Sequence, residues 1–217
     1  MQKVKLATKN EIEKIKNILL KNYPNSTTEL NYNNLYQLLV AVMLSAQCTD
    51  RRVNIITPKL FEKYPNIDAL AKANIDELKE IIKSCSFFNN KAKNLIEMAK
   101  KVKEDFKGEI PLSQKELIKL KGVGQKTANV VLIEYKKENL MAVDTHVFRV
   151  AHRLGLTQAS TPLETEKELS NKFKDNLNQL HQAMVLFGRY ICKAVKPECS
   201  RCDLKEFCKS KERFKAK

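Results

Sequence analysis

Glycine and proline are scarce, five and six in 217 residues. That argues against a collagen-like, linker-like or turn-rich all-β chain. Long apolar runs are missing as well. The longest unbroken one is Leu38 to Leu44, far short of the roughly 20 residues that a bilayer span requires. No segment sustains the alternation of a strand, and there is no internal repeat or low-complexity linker. The amino-terminal stretch does not read as a signal peptide, because Ile12, Ile15, Ile18 and Leu19 recur at helical spacing among charges. An intracellular, cytoplasmic protein is expected. Thiols stay reduced there, so the six cysteines read as metal ligands or packing residues rather than disulfides.

Acidic residues are in deficit: 25 Asp and Glu against 40 Lys and Arg, a net charge of +15. A pI near 9.5 on a folded chain suits a polyanion, and nucleic acid is the commonest. Thirty-three of the 40 basic residues are lysine, so compositional bias alone gives the same charge, and a specific site is needed to decide. At 43% hydrophobic residues the chain can bury one large core or two small ones.

The periodicity is helical almost throughout, and the fold class predicted is all-α. Helices are expected at about 10–22, 33–47, 50–63, 68–73, 75–84, 91–106, 114–120, 125–136, 145–154, 163–174 and 178–193. The second is apolar on nearly all sides and belongs at the centre of a domain. Ser113 and Glu116 have capping-box form. The basic tail Lys209 to Lys217 is expected to be mobile.

Cys192, Cys199, Cys202 and Cys208 fall in a C-x6-C-x2-C-x5-C pattern. Four thiolates this close can ligate one centre, either tetrahedral zinc or a [4Fe–4S] cubane. Zinc favours two short knuckles with a longer spacer, and here only one pair is close, which suits the larger cluster better. Lys193, Lys196, Arg201 and Lys205 lie between the ligands, partly offset by Glu198 and Asp203. Cys48 and Cys85 stand apart beside apolar helices and read as packing residues.

The segment Leu117 to Leu132 holds Gly122 and Gly124 between two helical stretches. It reads as a Gly-Val-Gly hairpin. Glycine allows the tight turn and the close approach of a phosphate, and the helix starting near Gln125 offers an anion site; an ordinary helical corner would show the same pattern. Lys126 sits in the first turn of that helix. This position singles it out among the lysines as a candidate nucleophile. Asp144 precedes the next helix, as an N-cap, a carboxylate facing a cavity, or both. His146 and His152 have no partner at ligand spacing.

LKGVGQKTANVVL, VDTHVFRVAHRLGL and the cysteine pattern together resemble the bacterial endonuclease III family, bifunctional DNA glycosylases of the helix-hairpin-helix superfamily. TELNYNNLYQLLVAVMLSAQCTD and FFNNKAKNL extend the likeness over nearly the whole chain. The resemblance implies a six-helix barrel over 24–138, with the hairpin at about 114–136. A second lobe of 1–23 plus 139–217 is implied to carry a [4Fe–4S] cluster held by the four clustered cysteines. DNA is implied to lie between the lobes, with Lys126 facing Asp144. A damaged pyrimidine is flipped out, the Lys126 amine attacks C1′, Asp144 takes up the proton or stabilises the sugar, and β-elimination cuts the strand 3′ to the lesion. No metal takes part in this chemistry.

The partner implied is double-stranded DNA with a damaged pyrimidine or an abasic site, met by a monomer with no membrane involved, at the nucleoid. Gln47 matches the residue that fills the gap left by the flipped base, and Phe87 falls at the strand wedge. Lys121, Gly122, Gly124 and Gln125 at the hairpin, Thr145 and His146 beside Asp144, and Lys193, Lys196 and Arg201 in the cluster loop are the other DNA contacts expected. The chain departs from the family at Ser86, where glycine is usual, at Lys121, where proline is frequent, and at Val195 and Glu198, where basic residues are common. Two other readings compete. A monofunctional adenine-mismatch glycosylase would lack Lys126 and carry a further carboxy-terminal domain, whereas nine residues follow Cys208. A non-catalytic, redox-sensing DNA-binding module would not need both Lys126 and Asp144.

Overall fold

The computed structural model describes residues 5–210; the end of the basic tail, 211–217, lies outside the described residues. Among those residues every regular element is helical. The chain divides into two compact units. One takes residues 29–136 and the other takes the described residues before 29 and after 136.

The 29–136 unit is built round α2 (Leu35–Ser45). Asn34 caps it, accepting the Gln37 N–H at 2.9 Å. Every residue from Leu38 to Leu44 is buried, so that stretch of α2 has no solvent face, as its all-round apolarity requires. It is packed by α3 (Asp50–Lys63), α6 (Phe88–Asp105) and α8 (Gln125–Lys136). Two short helices, α4 (Ile67–Ala71) and α5 (Ile75–Ile82), lie against α6. Side chains of Thr49, Asn66, Asn74 and Ser113 cap their helices. These are polar residues that accept the N–H groups a helix start leaves without intrahelical partners. α7 (Gln114–Leu117) is shorter than the 114–120 expected. Residues 118–121 are single turns instead, with the Leu120 N–H bonded to the Leu117 carbonyl at 3.0 Å.

The other unit joins α1 (Lys9–Asn22) to α9 (Thr145–Arg153), α10 (Pro162–Phe173) and α11 (Leu177–Tyr190). Capping boxes at Thr8–Glu11 and Thr161–Glu164 start α1 and α10. Ile15 and Leu19 of α1 share a core with Val147 and Val150 of α9, Leu169 of α10, and Leu180 and Met184 of α11. Leu204 and Phe207, beside two 3-10 turns at Cys199–Arg201 and Lys205–Phe207, close that core. Lys16, nearly buried, is ion-paired with Asp175.

Two boundaries differ from expectation in ways that bear on function. α2 ends at Ser45, not at 47, so Gln47 stands beyond it with a left-handed backbone, φ 53°. α11 ends at Tyr190, so Cys192 sits in the turn after it, where its N–H reaches the Phe187 carbonyl at 2.8 Å.

Candidate active site

The hairpin is set by three residues in a row. Gly122 is left-handed at φ +76°, and a Cβ there would come within 2.9 Å of the Asn94 Cβ on α6. Conformation and space therefore both demand glycine. Val123 is buried and plugs the turn into the unit; its N–H bonds the Leu120 carbonyl at 3.1 Å. Gly124 is different. A Cβ added there would meet nothing within 4 Å, so local packing gives no reason for glycine at this position. Its carbonyl accepts the first helical bond of α8, from the Ala128 N–H at 3.0 Å. It brings no side-chain cap, and a helix start without one presents its backbone to an anion. Lys121, Gln125 and Lys126 are all exposed here. A short hydrogen bond between Gln114 and Asn129 ties α7 to α8 behind the turn.

Gln47 and Phe87 lie in the same unit, each at a left-handed turn: Gln47 after α2, and Phe87, φ 58°, before α6. Phe87 is 63% exposed, an uncommon state for so large an apolar ring. The turns are joined behind these side chains. Cys48 and Cys85 approach to 3.5 Å between sulfurs. Cys85 is buried and Cys48 half-buried, so they pack as a facing pair rather than as separate residues. Burial, and then the neighbouring Cys48, push the Cys85 thiol up to about 12. Lys91, which the sequence reading did not single out, bonds the Leu44 and Ala46 carbonyls at 2.8 and 2.7 Å. A signal for it was present. Lys91 falls in helical register with Leu95, Met98 and Val102, all buried on α6, and a cation on an apolar stripe needs partners.

In the other unit Asp144 caps α9. Its Oδ1 accepts the N–H groups of His146 and Val147, both at 2.8 Å. The cap uses one carboxylate oxygen, and Oδ2 can serve a second partner. Thr145 is exposed and His146 half-buried. Burial holds the imidazole below its ordinary pKa of 6.5, with Asp144 opposing and Arg149 and Arg189 reinforcing that shift. The Arg149 Nη2 lies 3.1 Å from His146 Nδ1, which makes Nδ1 the acceptor. Arg149 and Arg153, also missed, run from α9 beneath the cysteine loop. Arg149 Nε donates to the Cys192 carbonyl at 2.9 Å. Arg153 Nη1 donates to the Lys193 carbonyl at 2.6 Å and the Cys192 sulfur at 3.4 Å.

Cys192, Cys199, Cys202 and Cys208 all line one pocket with Leu154, Phe187, Ile191 and Leu204. Among the described residues no three His, Cys, Asp or Glu side chains close on a single ion position. The four thiols instead surround a volume. Burial, and then the charges of Cys192, Cys208 and Cys199, push the Cys202 thiol up to about 11. Four thiolates in such a place need cationic centres between them. The loop is less open than its sequence promised. Lys196 and Arg201 are exposed, but Lys193 is paired with Glu198 at 2.7 Å. That pairing holds the Glu198 carboxyl below its usual range.

Three comparisons bear on these sites. Residues 40–175 match the family model for the HhH-GPD superfamily base excision DNA repair protein. Endonuclease III of Rickettsia felis is 49% identical over 198 residues, covering 91% of this chain and 93% of that protein. Endonuclease III of Bacillus subtilis is 43% identical over 189 residues, 86% of each. Among solved structures, a trapped endonuclease III–DNA covalent intermediate superposes with a TM-score of 0.92 at 40% identity, covering 97% of this chain and 99% of that one. A non-covalent endonuclease III–DNA complex gives the same TM-score and identity, with 98% of that chain covered.

Proposed function

The chain belongs to the endonuclease III family within the HhH-GPD superfamily, and from that premise we infer that it is a base-excision-repair DNA glycosylase with abasic-site lyase activity. DNA is its partner. We propose oxidised pyrimidines in duplex DNA, and the abasic sites they leave, as its substrates, and the monomer as the working form. Among the described residues no helix is long and apolar enough to cross a membrane.

The observation that carries the reading is the hairpin. An exposed lysine stands in the first turn of α8, two residues after a glycine at which an added Cβ would meet nothing. A phosphate seated at Gly124 lies one or two residues from the Lys126 amine. A base still in the stack shields C1′, so extrusion comes first. The Lys126 amine attacks C1′ through its nitrogen lone pair, a C–N bond forms, and the glycosidic bond breaks with its electron pair on the departing base. Asp144 takes the amine proton or stabilises the positive charge developing on the sugar. The ring opens to a Schiff base on Nζ. That cation acidifies the C2′ proton, whose loss expels the 3′ phosphate and cuts the strand. Gln47 fills the vacated space and Phe87 wedges the opposite strand. Thr145, His146, Lys121, Gln125, Lys196 and Arg201 are proposed as phosphate or sugar contacts. Lys193 contributes less, because Glu198 already holds it.

We propose a [4Fe–4S] cluster on Cys192, Cys199, Cys202 and Cys208. The donor set fits: all sulfur, four corners, and an apolar pocket between them. When bound, such a cluster supplies four iron–thiolate bonds that cross-link the loop carrying Lys196 and Arg201. The chain's own Arg149 and Arg153 hold that loop's backbone against α9.

Borohydride trapping tests the reading. Reduction in the presence of an abasic-site duplex is expected to leave one covalent protein–DNA adduct per chain, mapped to Lys126, and none with Lys126→Gln. No adduct from the wild-type protein, or one mapped to another amine, refutes it.

A further inference from the structure

Lys91 is a cation with a nearly buried side chain, 9% exposed, on an apolar stripe. Its role is visible in what it bonds. α2 stops at Ser45 with no glycine to turn the chain. The last carbonyls of a helix need partners from outside it. The Ser45 hydroxyl donates to the Val42 carbonyl at 2.9 Å, and the Cys48 N–H to the Ser45 carbonyl at 3.0 Å. The Lys91 ammonium donates to two more carbonyls at this end, Leu44 at 2.8 Å and the C-cap residue Ala46 at 2.7 Å. A positive charge at a helix carboxy-terminus is also favoured by the helix dipole. The Ala46 carbonyl belongs to the peptide that leads into Gln47. Gln47 is left-handed, a conformation that residues with a Cβ adopt only when their surroundings impose it. The backbone N–H of Lys91 itself makes the opening bond of α6, to the Phe87 carbonyl at 3.0 Å. One residue thus grips the peptide before Gln47 with its side chain and the carbonyl of Phe87 with its backbone.

We propose that Lys91 is a positioning residue for base extrusion: its ammonium fixes the left-handed turn that presents Gln47 to the gap in the duplex. It touches no DNA and acts through Gln47. The proposal rests on the reading of Gln47 as the gap-filling side chain. A cap that served only the stability of α2 would make the same bonds, so the test must measure coupling to Gln47.

The experiment is a double-mutant cycle under single-turnover conditions, on a duplex carrying one thymine glycol. Lys91→Met is expected to lower kcat/KM about tenfold in the chain that has Gln47, and less than about twofold in the Gln47→Ala chain. Lys91→Arg, which keeps a cation and N–H donors on the stripe, is expected to restore most of the loss. Hydrogen exchange at the Cys48 amide is expected to quicken in Lys91→Met, with exchange from Leu95 to Val102 unchanged. Equal losses in both backgrounds overturn the proposal and leave Gln47 untouched. A Gln47→Ala chain as active as wild type removes the underlying reading, and the proposal with it. Should Lys91→Met not fold, Lys91→Gln carries the same cycle: it keeps a donor without the charge, and its loss too must vanish without Gln47.

Discussion

Gly122 and Gly124 look interchangeable in the sequence, and replacing each with alanine should separate them. At Gly122 an alanine must hold φ +76°, which costs roughly 1–2 kcal/mol. Its Cβ also meets the Asn94 Cβ at 2.9 Å, so α6 or the hairpin must give by several tenths of an ångström. Together these come to about 2 kcal/mol, a Tm lower by roughly 4–8 °C. At Gly124 the added methyl enters open space. A poorer cap and a stiffer unfolded chain offset each other to within about 0.5 kcal/mol, so the Tm should move by less than about 2 °C. That methyl lies where the phosphate is proposed to approach. Loss of one charge-assisted backbone contact weakens binding about tenfold. No charge is removed, so the salt dependence of binding keeps its slope. Scanning calorimetry reads the first quantity. Fluorescence anisotropy with an abasic-analogue duplex, at several fixed salt concentrations, reads the second. If Gly124→Ala binds as the wild type does, the hairpin is not where the backbone meets DNA.

Other consequences follow from particular contacts. Asn at position 144 can accept the same two N–H bonds through Oδ1, so Asp144→Asn should keep its Tm while single-turnover excision falls about a hundredfold or more; Asp144→Ala should also lose about 1 kcal/mol of stability with the cap. Normal turnover by Asp144→Asn removes its proposed role. His146 has a folded-state pKa held below 6.5, so the unfolded chain takes up its proton first. Stability is full above pH 6.5 and falls as the pH drops toward the folded value. Calorimetry of His146→Gln over that window should show a shallower decline. An equally steep decline places the proton uptake elsewhere. Iron analysis should find about four iron atoms per chain, lost in Cys202→Ser and retained in Cys85→Ser. Zinc in place of iron would overturn the cluster assignment.

The eleven α-helices among the described residues are legible in outline from apolar patterning, and most begin at a polar cap. What escaped was non-local. Nothing in the SAQ segment says that α2 must stop at Ser45: the partner that ends it is Lys91, on another helix. Phe87 begins α6 with no side-chain cap, so no local signal placed the start ahead of Lys91. Cys48 and Cys85 stand 37 residues apart in the sequence, and only folding makes them neighbours. The candidate site shows the same division. The hairpin was readable because its glycines, its lysine and its helix are contiguous. The pairing of Lys193 with Glu198, five residues apart in an irregular loop, was not. Cysteine spacing leans toward iron–sulfur over zinc without deciding it, and what it cannot show is that all four thiols line one pocket.

The core that α1 completes is assembled from both ends of the described chain, and this sets an order of events on the ribosome. The Ile15 and Leu19 face of α1 finds its main cover on α10 and α11, some 150 residues later. At translation speeds of roughly 5–20 residues per second, that apolar stripe waits on the order of ten seconds or more after it is made. The contiguous 29–136 unit can collapse in the meantime. A nascent chain stalled before Pro162 would therefore hold the residues of the hairpin unit complete and a first helix whose main cover has not yet been made.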